Sequence, residues 1–205
     1  TLPDLKYIRP VLLPFFNPSE FLNSVFLIED SCESNNSLNN LTGSGFNLVY
    51  NQNYSHTTSM TDLENIKSQC SSNSVLCAAG GLANSDCILL KSCANCQAVL
   101  TPTIINSPVF VDSAYWYLTD GQSFGFAPDS TVNQHNADTQ DKSSPYRLSW
   151  HLNGHGGYRL GNITDLNSDN NYKKYRKYKL KIKIFKFQFF GPKNSEVAEL
   201  KSKRV

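Results

Sequence analysis

The segment 149–169, SWHLNGHGGYRLGNITDLNSD, concentrates side chains that could do chemistry. His151 and His155, together with Asp165, are residue types of a zinc site. Ser149 or Ser168, with His151 and Asp165, are those of a nucleophilic hydrolase. The glycines between the histidines argue against the helix that a His-x3-His zinc site uses, and no G-x-S-x-G elbow surrounds either serine. The segment therefore predicts a turn between strands, with a hydrolase using the His151 region kept as an alternative.

A β-hairpin is predicted here, because Asn-Gly dipeptides favour tight turns between strands. Its strands are YRLSWHL and GYRLG, and its turn is 153–157. Strand alternation puts Leu148, Trp150 and Leu152 on the core face, and it puts Tyr158 and Leu160 on one face of the return strand. The polar residues of this region form the predicted ligand site: Arg147, His151, Tyr158, Arg159 and Asp165.

Carbohydrate suits such a site, because aromatic rings and Arg, Asn and Asp side chains bind the apolar faces and hydroxyls of sugars. The structural alternative is an internal Arg–Asp network, in which the same residues stabilise the fold.

Oxygen-bearing side chains alternate at Asp165, Asn167 and Asp169, as at the start of a calcium loop. An EF-hand would need Gly at the sixth position and Glu at the twelfth, where this chain has Asn170 and Arg176. The EF-hand is therefore excluded, while a looser calcium loop and a cluster of Asx turns remain as alternatives. No other cofactor is expected.

The six cysteines predict a disulfide framework. We expect Cys70, Cys77, Cys93 and Cys96 to pair with one another, and a third bridge would use Cys32 and Cys87. The sequence leaves the connectivity open. The spacing of Cys93 and Cys96 also fits a zinc knuckle, which is the alternative.

Four N-x-Ser/Thr sequons accompany the cysteines, and both features are typical of extracellular glycoproteins. The candidate glycosylation sites are Asn35, Asn40, Asn53 and Asn162. Only 18% of residues are charged. We therefore expect a secreted, extracellular chain whose partner is a glycan or an extracellular protein.

Short runs rich in Val, Ile, Leu, Phe and Tyr, separated by Gly, Pro, Asn and Asp, follow residue 75. They predict an all-β fold, or a β-rich fold with one short helix, built as an antiparallel, disulfide-stapled β-sandwich. The helix is expected over Met60–Gln69, with Thr61 as N-cap and Glu64 three positions later. The predicted inward residues are Val75, Leu89, Val99, Val109, Phe110, Trp116, Phe124, Phe126, Leu148 and Trp150.

Charged residues are distributed unevenly along the chain. Residues 1–171 hold 7 Lys/Arg and 15 Asp/Glu, and residues 172–205 hold 12 and 2. We predict an extended segment over 1–44, a β-rich core domain over 45–175 and a basic tail over 176–205. Three interpretations of the tail stay open: an added edge strand whose lysines oppose aggregation, a cationic segment for an acidic partner or an anionic lipid surface, and translated noncoding DNA. Self-association, in which the tail adds as a strand to a neighbour's sheet, belongs to the alternative of a matrix or fibre subunit. No nucleic-acid recognition motif accompanies the charge, and no membrane-spanning helix is expected.

The runs YWYLTDGQSFGFAP (115–128) and RLSWHLNGHGGYRLGNITDLN (147–167) resemble an uncharacterised group of secreted invertebrate-type β-rich domains. Its pattern is WYxT, SFGFAP, RLSWHL, GGYRxG and LN, and the resemblance covers about residues 45–175. It implies an extracellular module and brings no catalytic residues. The sequence thus predicts a non-enzymatic recognition module, with a structural subunit of a matrix or fibre as the alternative.

Overall fold

Two antiparallel β-sheets pack against each other in the computed structural model, which describes residues 37–133, 137–152 and 154–180, with the backbone alone at 40–41 and 177–180. The predicted β-rich, sandwich-like and disulfide-stapled fold is confirmed. The strands are β1 (Asn47–Asn53), β2 (Ser74–Leu82), β3 (Ile88–Asn95), β4 (Val109–Val111), β5 (Ala114–Thr119), β6 (Ser123–Ala127), β7 (Leu148–His151), β8 (Gly157–Leu160) and β9 (Tyr172–Leu180). The helices are α1 (Leu38–Gly43), α2 (Met60–Ser68) and α3 (Cys96–Val99), with a 3-10 turn at Leu166–Ser168.

The first sheet has the strand order β1-β9-β2-β3. Its second strand, β9, is the last strand in the sequence. It lies between β1 and β2 and pairs with both. The predicted boundary between core and basic tail, at residue 175, falls inside this strand. The first residues of the basic segment are therefore part of the sandwich.

The second sheet is a meander with the order β4-β5-β6-β7-β8. The predicted hairpin is confirmed as the antiparallel pair β7 and β8. A bulge interrupts the register between Ser149 and Trp150, since Ser149 pairs with Arg159 and Trp150 with Gly157.

Helix α2 confirms the helix predicted after residue 60, but not its cap. Ser59 is the N-cap: its hydroxyl accepts from the Asp62 amide at 3.1 Å, and its own amide donates to the Asp62 carboxylate at 2.8 Å. The predicted cap at Thr61 with Glu64 is wrong, because the helix begins at Met60 and Thr61 already lies in its first turn. Ser59 with Asp62 and Thr61 with Glu64 have the same three-residue spacing, so the spacing alone did not distinguish the two caps.

The core lies between the sheets. Leu76, Ala78 and Leu90 of the first sheet meet the aromatic residues of the second. The predicted inward residues that are fully buried there are Val99, Trp116, Phe124, Phe126, Leu148 and Trp150. Val75 is buried in a separate cluster with Phe46 and Cys77. The prediction was wrong for Val109 and Phe110, which are 43% and 62% exposed because β4 is an edge strand.

Two disulfides join the four cysteines as predicted, and their connectivity is now fixed. Cys70, just after α2, bonds to Cys96 at the start of α3. Cys77 bonds to Cys93, its register partner across β2 and β3. Cys87 is also disulfide-bonded, whereas Cys32 lies outside the described residues. No cysteine of the described part is free for the zinc alternative.

Candidate functional site

Arg147 of the predicted ligand cluster is buried in an ion-pair network of the protein itself. Its guanidinium contacts Asp129 at 2.8 Å and Asp138 at 3.0 Å, and it also donates to the Thr131 carbonyl at 2.9 Å. Burial lowers the pKa of Arg147, but the two carboxylates outweigh burial and leave the pKa above its ordinary value. This is the Arg–Asp network named as the structural alternative.

Arg159 is also fully buried and donates to backbone carbonyls instead of carboxylates. It contacts Gly161 O at 2.9 Å, Gln140 O at 2.6 Å and Ser144 O at 3.1 Å. Burial lowers its pKa. The side chain therefore fixes the loop before β7 against the turn after β8.

The bulge in the β7–β8 pair decides the position of Tyr158. Its ring lies 5.9 Å from the ring of His151, which in turn lies 5.5 Å from that of His155. Leu160 belongs to the main core and Tyr158 does not. The expectation that these two share a face was wrong, because the bulge inserts one residue between the pairs that flank it.

The possible calcium ligands lie around the 3-10 turn. Asp165 is exposed and accepts from the Thr164 hydroxyl at 3.1 Å, and Asp169 accepts from the Asn171 amide at 2.5 Å. The second contact is an Asx turn. Over residues 37–133, 137–152 and 154–180, no group of three His, Cys, Asp or Glu side chains is arranged to hold a metal ion.

The predicted ligand cluster is thus brought together only in part. Arg147, His151, Tyr158 and Arg159 are all buried, and Asp165 is exposed. One serine of the hydrolase alternative, Ser149, is fully buried and accepts from the Asp138 amide at 3.0 Å. Ligand binding by this cluster stays a prediction, and it would require a ligand to reach groups that are covered by the protein.

A cavity of about 370 Å³ lies elsewhere, at the edge of the first sheet. We call it the amide pocket; its lining residues are Asn51, Gln52, Asn53, Ser55, His56 and Lys173. They come from the end of β1, the turn after it and the start of β9. Sequence analysis missed this site, although the polar run NQNYSH at the end of a strand was a visible signal.

The buried ring of Tyr54 anchors the turn that lines the amide pocket. Its hydroxyl donates to Arg159 O at 3.1 Å, its amide donates to Tyr172 O at 2.9 Å, and its carbonyl accepts from the Gly157 amide at 2.5 Å. A side chain at 157 would collide with the Tyr54 ring, so glycine is required there. The turn is thereby attached to both sheets.

Asn170 strengthens one wall of the amide pocket. Its side-chain oxygen Oδ1 accepts from the side-chain amide Nδ2 of Asn53 at 3.3 Å and from the Ser55 hydroxyl. These two contacts join the end of β1 and the turn after it to the segment that precedes β9.

Lys174 lies beneath the amide pocket, in the core. Its ammonium donates to the His56 carbonyl and, at 3.0 Å, to the Thr58 hydroxyl. Burial lowers the pKa of Lys174 to about 7.

Arg176, two residues further along β9, is fully buried among aromatic rings. Its guanidinium carbon lies 4.3 Å from the ring centre of Phe124, 4.6 Å from that of Trp150 and 5.3 Å from that of Tyr50. Burial lowers its pKa to about 9. In the described part of the chain the guanidinium has no hydrogen-bond partner, so ring faces are its contacts.

No family model, curated protein or solved structure matches the chain. Among the helices of the described residues, none has the length and apolar character required to cross a membrane.

Proposed function

We propose that the chain is an extracellular, non-enzymatic recognition domain that binds carbohydrate in the amide pocket. The observation that supports this is the polar lining, which comes from three residues with carboxamide side chains, one serine, one histidine and one lysine. Its volume lies within the ~300–1,000 Å³ range that is common for small-molecule sites.

Carboxamides suit sugars because each offers donors and an acceptor on one planar group, which matches pairs of neighbouring hydroxyls. Trp116, Tyr117 and Trp150 are fully buried, so their rings are not available as a platform for a sugar. Recognition in the amide pocket would therefore rest on hydrogen bonds. Such binding is weak for a single sugar unit and selective for hydroxyl geometry.

An extracellular location is supported by the two disulfides, which persist in oxidising compartments. It is supported as well by the sequons and by the resemblance to secreted domains. Asn162 is exposed in the turn after β8, and Asn53 lines the amide pocket. Asn35 and the side chain of Asn40 lie outside the described residues.

A self-assembling subunit of a matrix or fibre is the second candidate. The observation that favours it is the exposed apolar edge at β4, where Val109 and Phe110 face solvent. Self-association through the basic tail stays a prediction, because the tail beyond residue 180 lies outside the described residues.

The test is a glycan array with the secreted chain, followed by calorimetric titration of the best ligand. Asn51→Ala should weaken binding at least several-fold, because it removes an amide from the amide pocket. Asn84→Ala is the matched control, since Asn84 is an exposed amide on the β2–β3 turn. Blank arrays with and without calcium, or equal losses for both variants, would refute the proposal.

A further inference from the structure

β4 forms one edge of the second sheet. It pairs with β5 along Val109–Val111, and no other described strand pairs with it. The side chains at this edge are apolar and face solvent, with Val109 43% and Phe110 62% exposed. An edge of this kind presents unpaired backbone amides and carbonyls beside apolar side chains.

The segment that contains β4 has no charge. Residues 101–111, TPTIINSPVFV, include no Asp, Glu, Lys, Arg or His. Ile104 and Ile105, in the turn before β4, are exposed too. Proteins commonly protect a free edge with a charged side chain, and β4 itself has none. Asp112, which follows the strand, accepts from the Asn95 amide at 3.0 Å. An uncharged apolar edge favours an uncharged apolar partner strand.

We propose that β4 pairs with β4 of a second copy of this chain, so that the two second sheets join across a two-fold axis. A two-fold interface brings identical surfaces together, so each copy must be complementary to itself. An uncharged strand meets this condition, because no like charges oppose each other. Residues 37–180 also hold ten Lys/Arg and ten Asp/Glu, so the described part has no net charge that would repel its copy.

The antiparallel register with Phe110 on the axis avoids charge conflict. It sets Val109 opposite Val111 of the other copy and Pro108 opposite Asp112. The ring of Phe110 packs on that of Tyr115, with 5.1 Å between the ring centres. Proline donates no hydrogen bond, so Pro108 limits the ladder to a few residues. The dimer is therefore reversible, with an affinity set mainly by the four exposed apolar side chains of 104–110.

Sedimentation of the full chain over a range of concentrations tests this interface. The wild-type chain should change from monomer to dimer as concentration rises. Phe110→Lys should remain monomeric, because it would place two ammonium groups against each other. Leu82→Lys is the matched control: Leu82 is a 40% exposed apolar residue at the end of β2, and its variant should dimerise like wild type.

Amide hydrogen exchange at Phe110 identifies what pairs with the edge, because alternate residues of an antiparallel strand bond to each neighbour and the register with β5 leaves the Phe110 amide at the free edge. Protection that increases with protein concentration supports the dimer. Protection that is independent of concentration would mean that another part of the same chain covers β4, and it would overturn the proposal. A wild-type chain that stays monomeric throughout, or a dimer that persists in Phe110→Lys, would overturn it as well. None of these results depends on carbohydrate binding.

Discussion

The guanidinium carbon of Arg176 lies 4.6 Å from the ring centre of Trp150, in the core between the two sheets. A charge in such a position is costly, because burial removes its hydration and no carboxylate contacts it in the described part. Ring faces return part of this energy, on the order of 2 kcal/mol for a desolvated cation. The buried charge of Arg176 on β9 is therefore expected to lower the stability of the core.

Replacing Arg176 by methionine should therefore leave the domain as stable or make it more stable, by about 1 kcal/mol. Methionine fills much of the same space and carries no charge. Urea unfolding of the two proteins measures the difference.

Arg147→Met is the contrasting variant, because Arg147 is equally buried but paired. Its loss leaves the buried Asp138 without its cation and should destabilise the domain by about 3–5 kcal/mol. Similar losses for both variants would show that Arg176 contributes more than contacts with rings.

Lys174 should make stability depend on pH. Its pKa is about 7 in the folded chain, against an ordinary value of 10.5, so the unfolded chain binds more protons between these values. The free energy of unfolding therefore rises with pH from about 7 towards 10.5, on the order of a few kcal/mol. Below about pH 7 Lys174 is charged in both states and adds no further slope.

Urea unfolding between pH 6 and 9.5, within the range set by the Lys174 pKa, checks this expectation. Higher pH is avoided because burial raises the pKa of Tyr54 and Tyr117, which reverses the slope above about 10. Lys174→Met should remove the rise between pH 7 and 9; above about pH 9 the lowered pKa of Arg176 adds a rise of its own. If the variant keeps the wild-type slope, another group is responsible.

Arg159→Ala separates the predicted ligand cluster from a purely structural role. The change leaves the carbonyls of Gln140, Ser144 and Gly161 without their donor, which should cost about 3 kcal/mol of stability. Ligand affinity, measured well below the melting temperature, should stay close to wild type. A large loss of affinity with little loss of stability would instead support a ligand site at the cluster.

Local patterns predicted much of this fold. The alternation around Trp150 predicted the β7–β8 hairpin, and the count and crowding of cysteines predicted the disulfide framework. The bulge, which inserts Tyr158 between the Ser149–Arg159 and Trp150–Gly157 pairs, was not predicted. Gly157 packs there against Tyr54, more than 100 residues away in sequence, and local alternation does not show such a contact.

The candidate site was harder to predict for the same reason. Arg147 and Arg159 looked available for a ligand, since nothing in the sequence shows which carboxylates and carbonyls surround them. The amide pocket requires β9 to lie beside β1. That pairing makes Asn53 and Lys173 neighbours, although they are far apart in the sequence. The basic segment suggested a tail or an added edge strand, whereas β9 is an inner strand of the first sheet, between β1 and β2.

The two described sequons should differ in glycan occupancy when the chain is secreted from eukaryotic cells. Asn162 is exposed in a turn, whereas Asn53 is half-buried and donates to Asn170 at 3.3 Å. We expect mass spectrometry of glycopeptides to find a glycan on Asn162 and little on Asn53. Thr164→Ala, which removes the Asn162 sequon, should leave carbohydrate binding unchanged. A chain fully glycosylated at Asn53 that still binds its ligand with unchanged affinity would place the binding site outside the amide pocket, because the attached glycan would occupy the cavity that Asn53 lines.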